Sequence, residues 1–328
     1  MQDSFGRSIT YVRISVTDRC NLRCRYCMPD GYLGGEEPKD LLSYEELARV
    51  AGAMVRGGVR KFRLTGGEPL VRRDLHVLVG YLNALPEVED IALSTNAVLL
   101  ARHASSLRQA GLQRVNISLD TLRPDTFKRI SVNQSLEPVL EGIRAAEAVG
   151  LHPIKLNTVV MRGVNDDEVA DLAGLTIEKD WAVRFIEVMP MRQNPGKQTE
   201  QYVPADETRA RIEARHGALE ELPRGPHSGP AREFRLPGGR GRVGFITPLS
   251  HTFCDTCNRV RMTPTGKLRL CLFGEAGVDF REPLRGGATD DELLDIFQQA
   301  LRFKPERHHL SLGYSGPEAP VTMSQIGG

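Results

Sequence analysis

Between residues 11 and 188 the chain alternates strand-like, β-branched runs with helix-like ones. The strand-like runs are Tyr11–Val16, Lys61–Thr65, Asp90–Ser94, Arg114–Leu119, Ile154–Val160 and Val183–Val188. Helical patterns lie between them at Ser43–Arg56, Arg73–Leu85, Val98–Ala110, Leu136–Val149 and Asp166–Ile177. Such alternation implies parallel strands with covering helices, because parallel neighbours need long crossovers. Ser43-Tyr44-Glu45-Glu46 fits a capping box. Gly57-Gly58, Gly111 and Gly150 stand where helices stop. Six units fall short of the eight that close a barrel. The expected fold is therefore α/β, a partial (β/α)6 barrel of the TIM type.

After Met189 the alternation ends. Residues 190–200 are polar with Pro and Gly, as in a linker. Residues 223–241 are rich in Gly, Pro and Arg and have no helical period. Arg242–Thr247 and Arg259–Leu272 then read as strands, the second a hairpin turning at Thr263-Pro264-Thr265-Gly266. A last helix is expected at Asp290–Arg302. The expected division is a core at 1–190 and an extension at 191–328 that caps it.

Two cysteine triads sit on this frame. Cys20, Cys24 and Cys27 are spaced C-x3-C-x2-C directly after the first strand, with no other cysteine before Cys254. Three thiolates can hold three irons of a four-iron cluster and leave the fourth open to a small molecule. Cys254, Cys257 and Cys271 form the second triad. A secreted disulfide framework is a poor reading of six cysteines in 328 residues with no apolar leader pattern. Zinc is the competing reading for the second triad, and its fourth ligand would be His251.

With 43 basic and 42 acidic residues, net charge is +1. That balance suggests neither nucleic-acid nor membrane binding. No apolar run approaches a membrane span of about eighteen residues or more, so a cytoplasmic protein is expected. Yet Arg13, Arg63 and Lys155 lie within strands, where cations are costly unless paired. Arg259 and Arg261 share one face of the hairpin. Guanidinium groups gathered on one face suit a polyphosphate. Gly66-Gly67, after the second strand, lets backbone approach a ligand. Asp166-Asp167 and His308-His309 read as surface pairs.

Cys20-x3-Cys24-x2-Cys27, with Tyr26 before the last cysteine, and Gly66-Gly67-Glu68-Pro69 resemble the radical S-adenosylmethionine (SAM) superfamily. The runs TDRCNLRCRYCMP, TGGEPLVRRDL, NISLD, FIEVMP and FCDTCNRVRMTPTGKLRLCLF, with the terminal Gly327-Gly328, resemble one family within it. That family is the GTP 3′,8-cyclases of molybdenum cofactor biosynthesis, and the likeness spans essentially the whole chain. It implies a partial barrel of six βα units and two [4Fe–4S] clusters. Cys20, Cys24 and Cys27 would hold the SAM-binding cluster. Cys254, Cys257 and Cys271 would hold the second, whose open iron meets the guanine of GTP. Tyr26, Gly67, Ser118 and Met189 match SAM-contacting positions. Arg13, Arg63, Ser94, Lys155, Arg259, Val260 and Arg261 match GTP-contacting ones. Gly327 and Gly328 match a tail that enters the active site and supports the radical step.

The implied reaction takes the ribose 3′ hydrogen of GTP with a 5′-deoxyadenosyl radical and closes the ring at guanine C8. Implied partners are an electron donor and cyclic pyranopterin monophosphate synthase, with the chain a monomer or homodimer. One departure is Ser94-Thr95-Asn96-Ala97, where the family often has Thr-Thr-Asn-Gly, so loop shape at Ala97 is in question. The alternatives are a radical SAM peptide-modifying maturase, whose extensions generally carry more cysteines, and a non-enzymatic zinc module.

Overall fold

A computed structural model describes residues 1–28, 35–189, 199–225 and 229–311. Its frame is a twelve-stranded sheet. In chain order the strands are β1 (Tyr11–Ser15), β2 (Lys61–Thr65), β3 (Asp90–Thr95), β4 (Arg114–Ser118), β5 (Lys155–Val160), β6 (Ala182–Glu187), β7 (Glu220–Glu221), β8 (Arg232–Arg235), β9 (Arg242–Ile246), β10 (Arg259–Met262), β11 (Lys267–Arg269) and β12 (Gly277–Asp279). Across the sheet the order is β12-β11-β10-β1-β2-β3-β4-β5-β6-β9-β8-β7. The strands from β10 to β9 in that order run parallel, with β10 beside β1 and β9 beside β6. All six expected strands form, with ends shifted by at most a residue.

Strands from the region expected to cap the core join its sheet at both edges. Tyr11 and Arg13 of β1 stand opposite Arg259 and Arg261 of β10. Ala182 of β6 stands opposite Arg242 of β9. The hairpin turns as expected: Arg261 opposes Arg269, and Gly266 supplies a positive φ of 90°. Strands β7, β8 and β12 were not expected. They are short strands at or next to the sheet edges with mostly polar sequences, so they carry no apolar run to read.

The parallel strands alternate in chemistry. Val12, Ile14, Phe62, Leu64, Ile91, Leu93, Val115, Ile117, Leu156, Val183, Val243 and Val260 are buried in one apolar core. A parallel sheet packed on both faces reads as a continuous apolar run. These strands do not, because their other face lines a polar cavity.

Helices cover the apolar face: α1 (Tyr44–Arg56), α2 (Leu75–Asn83), α3 (Leu100–Gln109), α4 (Pro124–Ser131), α5 (Glu137–Ala148), α6 (Val169–Glu178), α7 (Ala205–His216), α8 (Arg281–Arg285) and α9 (Asp290–Leu301). The capping box of α1 forms: Glu46 N donates to Ser43 Oγ at 3.1 Å, and Ser43 N donates to Glu46 Oε2 at 2.7 Å. Gly58, Gly111 and Gly150 all have positive φ at helix ends. Helices α4, α7 and α8 were missed. Helix α7 buries only Ala205, Thr208 and Ile212, so its sequence shows no apolar stripe. Of the expected linker, residues 190–198 lie outside the described residues. Among the described residues no helix is long and apolar enough to cross a membrane.

Candidate active site

The polar face of the parallel strands lines a cavity of about 690 Å³. All six cysteines reach it. Strand direction places the two triads at opposite ends. Cys20 follows the C-terminal end of β1, whereas Cys257 precedes the N-terminal end of β10, which runs parallel to β1. Because β11 is antiparallel to β10, Cys271 returns to the end that holds Cys257. A five-residue strand spans about 16 Å, so there is room for ligands between the triads.

The first triad lies on a tight turn. Cys27 N and Met28 N both donate to Cys24 O, at 3.0 and 2.8 Å. Arg25 N donates to Ile130 O at 3.1 Å, which docks the turn on α4. Tyr26 OH donates to Asp120 Oδ2 at 2.9 Å, tying it to the end of β4. Leu22 N donates to Cys20 Sγ at 3.4 Å. Burial pushes the Cys20 thiol up to about 11, and Cys24 is raised for the same reason. Apolar surroundings favour the thiol, so thiolates here need a positive counterpart such as a metal.

Gly66-Gly67 packs against the approach to this turn. A Cβ on Gly67 would lie 2.6 Å from Asp18 O, so no side chain fits. Gly67 N donates to Thr17 O and Glu68 N to Arg19 O, each at 2.8 Å. Glu68 is fully buried and accepts from Thr95 Oγ1 and Asn96 N, each at 2.7 Å. Burial pushes its carboxyl up to about 7 despite those bonds. Ala97 takes a left-handed φ of 63° and is buried, so the loop keeps the shape that a glycine would favour.

At the second triad, Cys257 N donates to Cys254 O at 3.0 Å. Burial raises Cys254. Burial also acts on Cys257, but Arg259 and Lys304 outweigh it and bring that thiol to about 7. Among the described residues, no three His, Cys, Asp or Glu side chains converge on one ion. His251 does not join the triad: it is exposed, with Nε2 3.4 Å from Asp206 Oδ2.

Between the triads the cavity is cationic. Arg13, Arg63, Arg114, Lys155, Arg184, Arg259 and Arg261 line it. Burial, then Arg261 and Arg63, lowers Arg13; burial is also the main reason that Arg63 and Arg261 fall to about 10. Lys155 falls to about 6 through burial and then Arg184, Arg114 and Arg63. Arg114 is matched by Asp90, with Nε 2.8 Å from Oδ1, and Arg184 by Glu233 at 2.8 Å. Among the described residues, the buried Arg63 Nε and Ser94 Oγ have no hydrogen-bond partner. A crowd of buried cations with open donors is suited to a polyanion.

Every candidate SAM and GTP position except the tail lines this one cavity: Tyr26, Gly67, Ser118, Met189, Arg13, Arg63, Ser94, Lys155, Arg259, Val260 and Arg261. Val260 also belongs to the apolar core at 1% exposure. Gly327 and Gly328 lie outside the described residues. Two surface readings are corrected. Asp166 is buried, accepting from Gly163 N at 2.7 Å and pairing with Arg211 at 3.0 Å. His308 is half-buried, lines the cavity, and stands edge-on to Phe273. Sequence reasoning missed Arg184, Asp120 and Lys304. Arg184 carried the same signal as Arg63, a cation inside a strand; Lys304 carried none.

Residues 14–176 match the radical SAM superfamily, and residues 181–310 match the Molybdenum Cofactor Synthesis C family. The chain is similar to the GTP 3′,8-cyclase of Moorella thermoacetica, 50% identical over 328 residues and 100% of both chains. The GTP 3′,8-cyclase of Heliobacterium modesticaldum is 48% identical, again over 100% of both chains. In fold it is similar to Streptococcus suis SuiB crystallised with S-adenosylmethionine, at TM-score 0.62 and 14% identity, covering 89% of this chain and 65% of that one. Two cysteine triads across a cationic cavity and this end-to-end identity agree: the chain belongs to the GTP 3′,8-cyclase family of radical SAM enzymes, which serves molybdenum cofactor biosynthesis.

Proposed function

We propose that the chain converts GTP to (8S)-3′,8-cyclo-7,8-dihydroguanosine 5′-triphosphate, using SAM and two [4Fe–4S] clusters. The observation that carries this is the facing of two cysteine triads across one cavity of buried cations. Each triad offers three thiols that line the one cavity, the donor set of a cluster with one open iron. Cys20, Cys24 and Cys27 would hold the first cluster; Cys254, Cys257 and Cys271 would hold the second. With SAM at its open iron, the first cluster would supply one-electron chemistry for abstracting hydrogen from the ribose 3′ carbon.

The protein's own part is to bind, orient and exclude water. Tyr26, Gly67, Ser118 and Met189 hold SAM, with Asp120 fixing the Tyr26 ring through its hydroxyl. Arg13, Arg63, Ser94, Lys155, Arg259 and Arg261 hold GTP, and the Val260 contribution is through backbone. Gly327 and Gly328 are the tail residues of the family's active site. One face of eight parallel strands around one cavity supports a partial (β/α)6 barrel widened by β9 and β10. We keep the division into a core at 1–190 and an extension at 191–328. The product passes to cyclic pyranopterin monophosphate synthase, an external donor supplies electrons, and the enzyme works in the cytoplasm as a monomer or homodimer.

The cations between the triads favour a triphosphate over the peptide of a maturase. The test is anaerobic turnover of reconstituted enzyme with dithionite, SAM and GTP deuterated at the ribose 3′ carbon. Deuterium in 5′-deoxyadenosine with a cyclised guanosine triphosphate is the expected result. SAM cleavage without deuterium transfer would discard GTP as substrate.

A further inference from the structure

Lys304, just beyond α9, is a buried cation that meets carbonyls rather than carboxylates. It is 3% exposed. Its Nζ donates to Arg259 O at 2.9 Å and to Leu270 O at 2.6 Å. Arg259 is two residues after Cys257, and Leu270 adjoins Cys271. One ammonium therefore ties together the two chain segments that carry these thiols. A buried ammonium is costly unless its charge is compensated.

Arg7 reaches the same place from the other end of the chain. Its side chain is buried and pairs with the fully buried Asp3 at 2.6 Å. It donates to Cys254 O at 2.9 Å, Glu306 O at 2.6 Å and Pro305 O at 2.7 Å. The main chain beside every cysteine of the second triad is thus held by one of two buried cations. Arg7 also grips the segment that follows Lys304.

We propose that Lys304, with Arg7, is a positioning residue that builds the second cysteine site, setting the separation of its thiols and placing a fixed positive charge against them. This rests on reading the second triad as cluster ligands. Two effects are expected. The clamp holds Cys257 and Cys271 apart from collapse in the empty protein, so assembly starts from a formed site. The charge compensates thiolates and cluster, and charge beside a cluster tunes its reduction potential.

The experiment is anaerobic reconstitution of the full chain and of Lys304→Met, with iron content, redox titration followed by electron paramagnetic resonance, and SAM binding measured on each. Methionine has similar length but leaves the Arg259 and Leu270 carbonyls without this donor, so SAM binding at the first site reports whether the fold survives. The unaltered chain should hold about eight irons. About four there would overturn the cluster reading, and the proposal with it, before the variant is considered. Given about eight, Lys304→Met should fall to about four irons while still binding SAM. If a second cluster still assembles in it, the midpoint potential of that cluster should drop while the first is unmoved. Full iron with both potentials unchanged would overturn the proposal. Loss of both clusters together would also overturn it, as the mark of a general folding role.

Discussion

Lys155 shares its cavity with Arg63, Arg114 and Arg184, and burial and those neighbours hold its ammonium at about 6. In the empty site at neutral pH it is therefore mostly uncharged. A bound triphosphate would raise it, so binding should take up a proton. Between pH 6 and 8, affinity for GTP should weaken as pH rises, and level off below 6, where the lysine is already charged. Calorimetry of GTP binding in two buffers of different ionisation enthalpy checks this: Lys155→Met should abolish the proton uptake. Equal heats in both buffers for the unaltered protein would reject it. The residue types themselves were legible, because a cation inside a strand is costly. Their pairing was not: that Glu233 answers Arg184 and Asp90 answers Arg114 depends on which strands become neighbours.

Helices and loops set the site's shape through close backbone contact. A Cβ on Gly142 of α5 would collide with the Ala97 carbonyl and stand 3.2 Å from Leu100 Cβ of α3. Gly142→Ala should therefore destabilise by about 1–3 kcal/mol, read as a lower midpoint in urea unfolding. An unchanged midpoint would mean that α5 shifts without cost. At the end of β6, Glu187 is buried and accepts from Leu249 N at 3.0 Å, Ser250 N at 3.1 Å and Ala205 N at 3.2 Å. One carboxylate thus joins β6, the start of α7 and the loop that leads to Cys254. Removing it by Glu187→Ala leaves the buried Ala205 N and the part-buried Leu249 N and Ser250 N without this acceptor, and the buried one alone costs about 1–3 kcal/mol. Proteolysis at residues 248–253 should speed up in that variant; an unaltered cleavage pattern would count against the hub. The six main strands and the α1 cap were readable because pattern and capping are local. Helix α7 was not, since its polar sequence is made helical by packing on α6 and β6.

For the whole molecule, a crowd of like charges lines the central cavity. Any polyanion that enters should stabilise it, even without SAM. Tripolyphosphate at about one hundred times its Kd should add about 2.7 kcal/mol, seen as a higher melting temperature than sodium chloride gives at equal ionic strength. No difference between the two salts would argue against a triphosphate cradle. The sequence by itself determined the strand–helix alternation, the two cysteine triads and the cations placed within strands, since each is a matter of residue type and local spacing. Only the tertiary structure decided that β9 and β10 extend opposite edges of one sheet and that β10 runs parallel to β1, which sets the triads at opposite ends of a single cavity. It alone brought Lys304 and Arg7 to the same cysteine triad from the two ends of the chain. The physical reason is that such contacts depend on strand order and direction, which backbone hydrogen bonding and core burial settle for the chain as a whole and no local stretch records.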